Sequence, residues 1–289
     1  MMAGALYPAT MPIWEARMID TAAKRARFRA LHQRGCFVIP NPWDIGSARL
    51  LQHMGFAALA STSSGHAWTK GRPDYAPSRD DALHHLSELC AAVDLPINAD
   101  FESGYAVEPD AVAANVTLAL GTGVAGLSIE DSKPGGKGLH DLPLAVERIR
   151  AARSAIDRAG EDVILVARSE ALLADPEALM PAIHKLVAFA DAGADCLYAP
   201  GVKKKDDIAT MVRAVAPKPL NVLMTGPGLS VGELRDLGVR RISVGGALAR
   251  VALSSMISAA EQMKEGSFGG LANAGPGRRF NEIFSAFDS

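Results

Sequence analysis

The sequence predicts an α/β protein folded as a single (β/α)8 barrel, on three observations. Short apolar runs of β character alternate with longer segments of helical period, and the alternation repeats eight times between Gly35 and Gly266. Gly55, Gly123, Gly193 and Gly238 each stand between a helical segment and the next apolar run, where a left-handed residue turns the chain back. The length of 289 residues, 48% of them hydrophobic and 21% charged, is what one such barrel fills, so residues 1–289 are read as one domain.

Taken in order, residues 1–34 form an N-terminal extension with a basic helical pattern around Ala22–His32, placed as a cover for the barrel bottom. The runs read as strands are Cys36–Pro40, Ala57–Ser61, Pro96–Ala99, Gly126–Ile129, Val163–Ala167, Cys196–Tyr198, Leu220–Met224 and Arg241–Val244. The helical patterns between them are Ile45–Met54, Ser78–Val93, Pro109–Leu120, Leu142–Ala159, Pro176–Ala192, Lys205–Ala216, Val231–Leu237 and Ala247–Lys264. Two open on a start signal, Ser78 before Arg79-Asp80-Asp81 and Asp175 before Pro176. Residues 267–289 are Gly-rich, carry "RRFNEIFSAF", and are expected to dock on a partner subunit. Right-handed crossovers between parallel strands buried on both faces close into a barrel more economically than they form an open doubly wound sheet, which is the second choice.

Composition excludes several classes of function. A formal net charge of −2, a pI near 6.4 and the lack of a Lys/Arg-rich face exclude nucleic acid as a partner. Cys36, Cys90 and Cys196 are odd in number, far apart and set in apolar runs, which reads as reduced, buried thiols and a cytoplasmic address. No apolar run of membrane-spanning length and no basic lead with an apolar signal core is found, so a soluble, unprocessed chain with no membrane partner is expected.

Barrel chemistry belongs beyond the carboxyl ends of the strands. After the first run come Asn41, Pro42, Trp43 and Asp44; after the second, Thr62, Ser63, Ser64 and Gly65; after the third, Asp100 and Glu102; after the fourth, Glu130 and Asp131; after the fifth, Arg168 and Glu170. The acids of the third and fourth ends, with Asp74 from the loop after the second, suit one hard divalent cation held through direct or water-mediated oxygen; Mg2+ is the first choice and Mn2+ the second. The same acids also suit helix caps and first-turn positions. Arg168 ends the apolar run "VILVAR", where a guanidinium suits either a substrate carboxylate or a structural ion pair with Glu130 or Glu170. "STSSG" offers hydroxyls and amides around Gly65 as a nest for a carboxylate, although Ser-Gly turns are common.

Through "NPWDIGSARLL", "STSSGHAWTKGRPD", "NADFESGY", "GVAGLSIEDS", "VARSEA" and "DAGADCLYAPG", the chain resembles the isocitrate lyase and phosphoenolpyruvate mutase superfamily over about Phe28 to Lys264. The resemblance implies a barrel that binds Mg2+ and a small 2-oxo acid or enolpyruvate, stabilises an enolate, and assembles as a homotetramer or dimer with its C-terminal helix exchanged between subunits. It implies Ser64 and Gly65 as the substrate carboxylate site, Asp74, Asp100 and Glu130 as the metal shell, Arg168 as the carboxylate clamp, and Trp43 and Asp44 as pocket floor.

Two departures from the family pattern stand out. Asn98 is read at the place of the first aspartate of the family's Asp-x-Asp motif, with "NADFESGY" one residue longer than usual and Glu102 taking up part of the lost charge. The loop after the fourth run, "DSKPGGKGLHDL", lacks the cysteine that serves as acid in the carbon–carbon lyases, and lacks the lysine and asparagine pattern of the phosphonate mutases. The implied chemistry is therefore that of a cysteine-free subgroup: oxaloacetate-type decarboxylation, or retro-aldol cleavage of a malate derivative, with Glu130 at the reacting centre and His140 or water protonating the enolate. The Gly-rich stretch 134–138 is expected to open and close over the site. Three rivals remain: a P–C bond enzyme of the phosphonopyruvate type, a phosphosugar enzyme suggested by "TGPGLS" and "VGGALAR", and a barrel that binds a 2-oxo acid without catalysis.

Overall fold

The computed structural model describes residues 13–287. Eight parallel strands, β1 Phe37–Ile39, β2 Leu59–Ala60, β3 Ile97–Asp100, β4 Gly126–Glu130, β5 Ile164–Arg168, β6 Cys196–Tyr198, β7 Leu220–Leu223 and β8 Arg241–Ser243, follow the order β1-β8-β7-β6-β5-β4-β3-β2. The Ala60 N–H donates to the Pro40 carbonyl across 3.0 Å and bridges the seam between β1 and β2. The expected (β/α)8 barrel is thus the fold found, each strand lying within or close to the run assigned to it.

Alternation along the strands builds two apolar layers. Ile164 and Val166 join Ile39, Ala60, Cys196 and Tyr198 inside the barrel, whereas Leu165, Ala167, Leu127, Ile129, Ile97 and Ala99 pack outward against the helices. Each fully buried Leu, Ile or Val contributes roughly 1.5–3 kcal/mol by leaving water. Inward parity passes Asn98 and Asp100 on β3, Gly126, Ser128 and Glu130 on β4, and Arg168 on β5 to the barrel axis, so the sequence run that fills the core also aims the polar residues at its end.

The N-terminal helix runs Ile13–Gln33, longer than the pattern seen around Ala22–His32, and it covers the bottom of the barrel. Lys24 Nζ donates to the Val93 carbonyl at 2.7 Å, Arg25 donates to the carbonyls of Leu120 and Val124 at 3.0 Å each, and the Phe28 ring is fully buried beneath the strands. All four turn glycines adopt positive φ, from 85° at Gly55 to 103° at Gly193. Ser78 caps Arg79–Ala92 in a capping box with Asp81.

Some helix boundaries and the exposure of one cysteine differ from expectation, and the tail makes a contact within its own chain. Asp175 does not start a helix at Pro176: the helix is Leu179–Asp191, and the Asp175 carboxylate accepts from the Glu177 N–H in a turn that follows the short helix Ala171–Ala174. "STSSG" is not an open loop, since Ser63–Thr69 is helical with Thr62 as its N-cap. The tail is helical over Gly277–Ser285 and packs on the Ile45–His53 helix of its own chain, with Phe284 against Gly46 and the Arg49 guanidinium 5.1 Å from the Phe287 ring centroid. Cys90 and Cys196 are buried free thiols, and Cys36 is only half-buried. Among the described residues no helix is long and apolar enough to cross a membrane.

Candidate active site

Register sets the depth of each polar residue. Glu130 pairs with Arg168, and Arg168 with Tyr198, at the mouth of the barrel; Asp100 pairs with Ser128 one inward position lower, and Asn98 with Gly126 one lower again. Arg168 Nη1 lies 3.5 Å from Asp100 and 3.4 Å from Glu130, its Nε pairs with Glu170, and its guanidinium stands 5.2 Å from the Tyr198 ring centroid. Arg168 is thus ion-paired with Glu130 and Glu170, the structural alternative foreseen for it, at the mouth of the barrel.

The acids are held by the ends of neighbouring elements. Asp100 Oδ2 accepts from the Ser63 N–H and the Ser63 hydroxyl, each at 3.0 Å, which fixes it at the amino end of the Ser63–Thr69 helix, where the helix dipole favours a carboxylate. Glu130, only 2% exposed, accepts from the Tyr75 hydroxyl at 2.9 Å and from the Ser132 hydroxyl. Burial, then the negative charges of Asp100 and Glu130, push Glu102 up to about 8. Asp74 is raised as well, first by burial of its carboxylate although the residue as a whole opens to solvent, then by Asp100. Glu170 rises to about 7, burial outweighing the pull of Arg168. Asp74, Asp100, Glu102 and Glu130 thus share one small volume with more negative charge than Arg168 offsets.

That volume fits a hard divalent cation by the chemistry of its donors, which are all carboxylate oxygens. Among the described residues no group of three or more His, Cys, Asp or Glu side chains closes directly around one point. The fit is therefore to an ion that keeps much of its water and takes one or two carboxylates directly, which is the habit of Mg2+.

The other expected site residues are held by contacts of their own. Asn98 is 1% exposed inside the barrel, its Oδ1 accepts from Arg241 Nη1 at 3.1 Å, and it lies two inward positions below Glu130. The acidic pair at the mouth is Asp100-Phe101-Glu102, with one residue between its members. Gly65 is helical, and its N–H donates to Thr62 Oγ1 at 3.3 Å, so that amide is not a free nest donor; a Cβ there would meet Thr62 Cγ2 at 2.6 Å and Trp43 Cβ at 2.8 Å. The neighbouring Ser64 hydroxyl lies 3.1 Å from the Thr62 hydroxyl and against Gly246. Asp44 is an exposed N-cap for Ile45–His53 and not pocket floor, and the half-buried Trp43 donates its N–H to Ser47. His140 is buried with an unpartnered Nε2, its N–H donates to the Asp131 carbonyl at 2.8 Å, and burial followed by the positive charges of Arg148 and Lys133 lowers its pKa.

The sequence reading missed Tyr75 and Arg148 as residues that shape this site, and placed Ser63 after the second strand without its role of holding Asp100. Arg148 is 1% exposed and donates to the carbonyls of Glu130 at 3.2 Å, Ala106 at 3.0 Å and Ser103, tying the β3 and β4 ends together from behind. Its position in an amphipathic helix looks like any surface arginine, and nothing in the sequence marks it.

The chain is similar to known proteins over most of its length. The family described as phosphoenolpyruvate phosphomutase matches residues 28–264. A solved lyase or mutase from Burkholderia cenocepacia J2315, itself described as putative in function, is 46% identical with a TM-score of 0.89, covering 92% of this chain and 98% of the other. An uncharacterized protein of Mycobacterium tuberculosis is 34% identical over 241 residues, 83% of this chain and 89% of its own. An oxaloacetate acetylhydrolase solved with its product oxalate is 27% identical with a TM-score of 0.82, covering 93% and 95% of the two chains.

Proposed function

The chain belongs to the phosphoenolpyruvate phosphomutase family, and on that premise we propose that it is a Mg2+-dependent carbon–carbon lyase that opens a small 2-oxo acid or related dicarboxylate through an enolate. Oxaloacetate-type decarboxylation or retro-aldol cleavage is the reaction assigned. The observation that carries this reading is the cluster of Asp100, Glu130 and Glu170 around the single guanidinium of Arg168, with Glu102 and Asp74 close enough to Asp100 to be raised by it, a gathering of carboxylates that is costly unless a cation and an anionic substrate complete it.

Asp100, Glu102, Glu130 and Asp74 would hold the ion, directly or through water. When bound, it supplies positive charge close to the 2-oxo group, where negative charge develops as the bond breaks. Arg168 orients the substrate carboxylate with its planar fork, and Glu170 on Nε keeps that fork from rotating. Ser63 holds Asp100, and Tyr75 with Ser132 holds Glu130, so neither acid swings when the substrate arrives. The loop after β4, drawn together by the antiparallel bridge between Ser132 and Leu139, shields the mouth from water. His140 is buried beside positive charges that disfavour its protonated form, so protonation of the enolate is assigned to water.

The proposed partners are the small-molecule substrate and further copies of this chain. The Ala247–Lys264 helix and the turn after it leave Val251 64%, Met256 61% and Phe268 73% exposed, a face suited to a homotetramer or dimer that size-exclusion chromatography with light scattering would reveal.

The deciding experiment is a screen of oxaloacetate, 2-methylisocitrate, 2,3-dimethylmalate and phosphonopyruvate, with and without Mg2+, read as pyruvate released. Turnover of a carbon–carbon substrate that stops with chelator and in Arg168→Ala is the expected result. Turnover of phosphonopyruvate alone would move the assignment to the P–C bond, and tight pyruvate binding with no turnover of any substrate would overturn the enzymatic reading.

A further inference from the structure

Tyr75 makes contacts on three sides of the mouth at once. Its hydroxyl donates to Glu130 Oε1 at 2.9 Å, its N–H donates to the Asp74 carboxylate at 3.0 Å, and its ring lies against Gly136 in the loop after β4. A Cβ built on Gly136 would come within 3.1 Å of Tyr75 Cε2 and 3.2 Å of Cδ2, and Gly136 itself has φ +70°, so the loop approaches the ring as closely as it does only because that position is glycine. Tyr75 itself adopts φ 61°, a left-handed conformation that is uncommon for an aromatic residue and that persists only where surrounding contacts impose it.

The contacts join parts of the chain that no β-ladder connects. Tyr75 belongs to the loop between the Ser63–Thr69 and Arg79–Ala92 helices, Glu130 ends β4, and Gly136 lies in the glycine-rich turn Pro134–Gly136. That turn is exposed on both sides, and its internal hydrogen bonds run from the Lys133 N–H to the Gly138 carbonyl and from the Gly136 N–H to the Lys133 carbonyl. Beyond these bonds and the Ser132–Leu139 bridge, the Tyr75 ring is the side chain against which the turn rests.

We infer that Tyr75 is a positioning residue that couples closure of the 133–139 loop to the orientation of Glu130. The ring is the rest on which the loop closes, and the hydroxyl carries that position to the Glu130 carboxylate. An open loop leaves the ring unsupported and Glu130 held by Ser132 and Arg168 alone; a closed loop adds the Tyr75 tether. The coupling is a property of the chain whatever the substrate, and only its response to ligand rests on the proposed function.

The two halves of the coupling separate by mutation. Trypsin cleavage at Lys137–Gly138, followed by mass spectrometry, reads the loop, because Lys133 is followed by proline and is not cut. Tyr75→Ala should speed that cleavage at least tenfold, and Gly136→Ala should do the same from the loop side, whereas Tyr75→Phe should keep the wild-type rate because its ring remains. In turnover, Tyr75→Phe should lower kcat about tenfold with KM changed less than twofold, as expected when Glu130 loses its tether while the loop still closes. Pyruvate with Mg2+ should protect the bond in the wild type and in Tyr75→Phe, and fail to protect it in Tyr75→Ala. Equal cleavage rates without ligand in wild type, Tyr75→Ala and Gly136→Ala, all shown folded by circular dichroism, would overturn the inference. If those rates differ as expected and no substrate turns over, the coupling stands and the functional reading falls.

Discussion

Arg241 Nη1 donates to Asn98 Oδ1 at 3.1 Å inside the barrel, well below the acids of the mouth. Both residues are almost wholly buried, the guanidinium also stands 5.9 Å from the Phe28 ring centroid, and burial lowers the arginine's pKa. A neutral amide is thus the partner of a buried cation. Asn98→Asp should leave Mg2+ affinity within twofold of wild type in a calorimetric titration, while Glu102→Gln weakens it at least tenfold. A marked tightening in Asn98→Asp would return Asn98 to the metal shell.

Arg168 holds Asp100, Glu130 and Glu170 together, so its removal acts on the fold as well as on substrate. Arg168→Ala should abolish turnover and also lower stability by about 3–5 kcal/mol, because it leaves buried carboxylates without a counter-charge. Arg168→Lys should recover much of that stability while kcat/KM stays down by about a hundredfold or more, since a point charge cannot supply the two parallel donors of a guanidinium. Chemical denaturation beside steady-state kinetics checks both, and full activity in the lysine variant would remove the fork geometry from the account.

Gly65 stands in a Ser-Gly run that suggests an anion nest, and its actual constraint is contact. A methyl group at this position would lie closer than 3.0 Å to both Thr62 Cγ2 and Trp43 Cβ, so Gly65→Ala must push the Ser63–Thr69 helix away from β1. A loss of about 1–3 kcal/mol is expected, together with a weaker hold of Ser63 on Asp100 that shows as a raised KM for Mg2+. Stability and metal dependence equal to wild type would show that the helix shifts without cost.

Much of this is legible in the sequence, for reasons that are local. Strand runs such as Ile164–Arg168 and Gly126–Glu130 are short, apolar and closed by a charged residue, so alternation alone carries Glu130 and Arg168 to the mouth. Asn98 misleads because parity says which face a residue points to and not how deep it lies; depth comes from the register of Asn98 with Gly126, a pairing between strands. The Ser63–Thr69 helix is hidden because seven residues are too few for helical periodicity to show, although Thr62 as N-cap is a readable signal. Tyr75 is inconspicuous beside Asp74 because two of its three contacts, to Glu130 and to Gly136, come from distant segments, and a positive φ leaves no mark on a tyrosine in sequence.

The buried histidines predict how the protein responds to acid. Burial, chiefly, lowers His32 to about 3, with Arg241 adding to the effect, and burial lowers His85 to about 3, with His66 stacked on it at 3.9 Å between ring centroids. Both folded values lie below the unfolded value of 6.5, so the unfolded chain binds more protons throughout the interval from 6.5 down to about 3. Stability from these groups is therefore fully present above pH 6.5 and is lost as pH falls, at roughly 1.4 kcal/mol per pH unit for each histidine. Urea midpoints measured from pH 7.5 to 5 should fall steeply below 6.5. His85→Phe, which keeps an aromatic ring against His66, should make the decline shallower by about one proton, and an unchanged slope in that variant would show that His85 is not held neutral in the folded state.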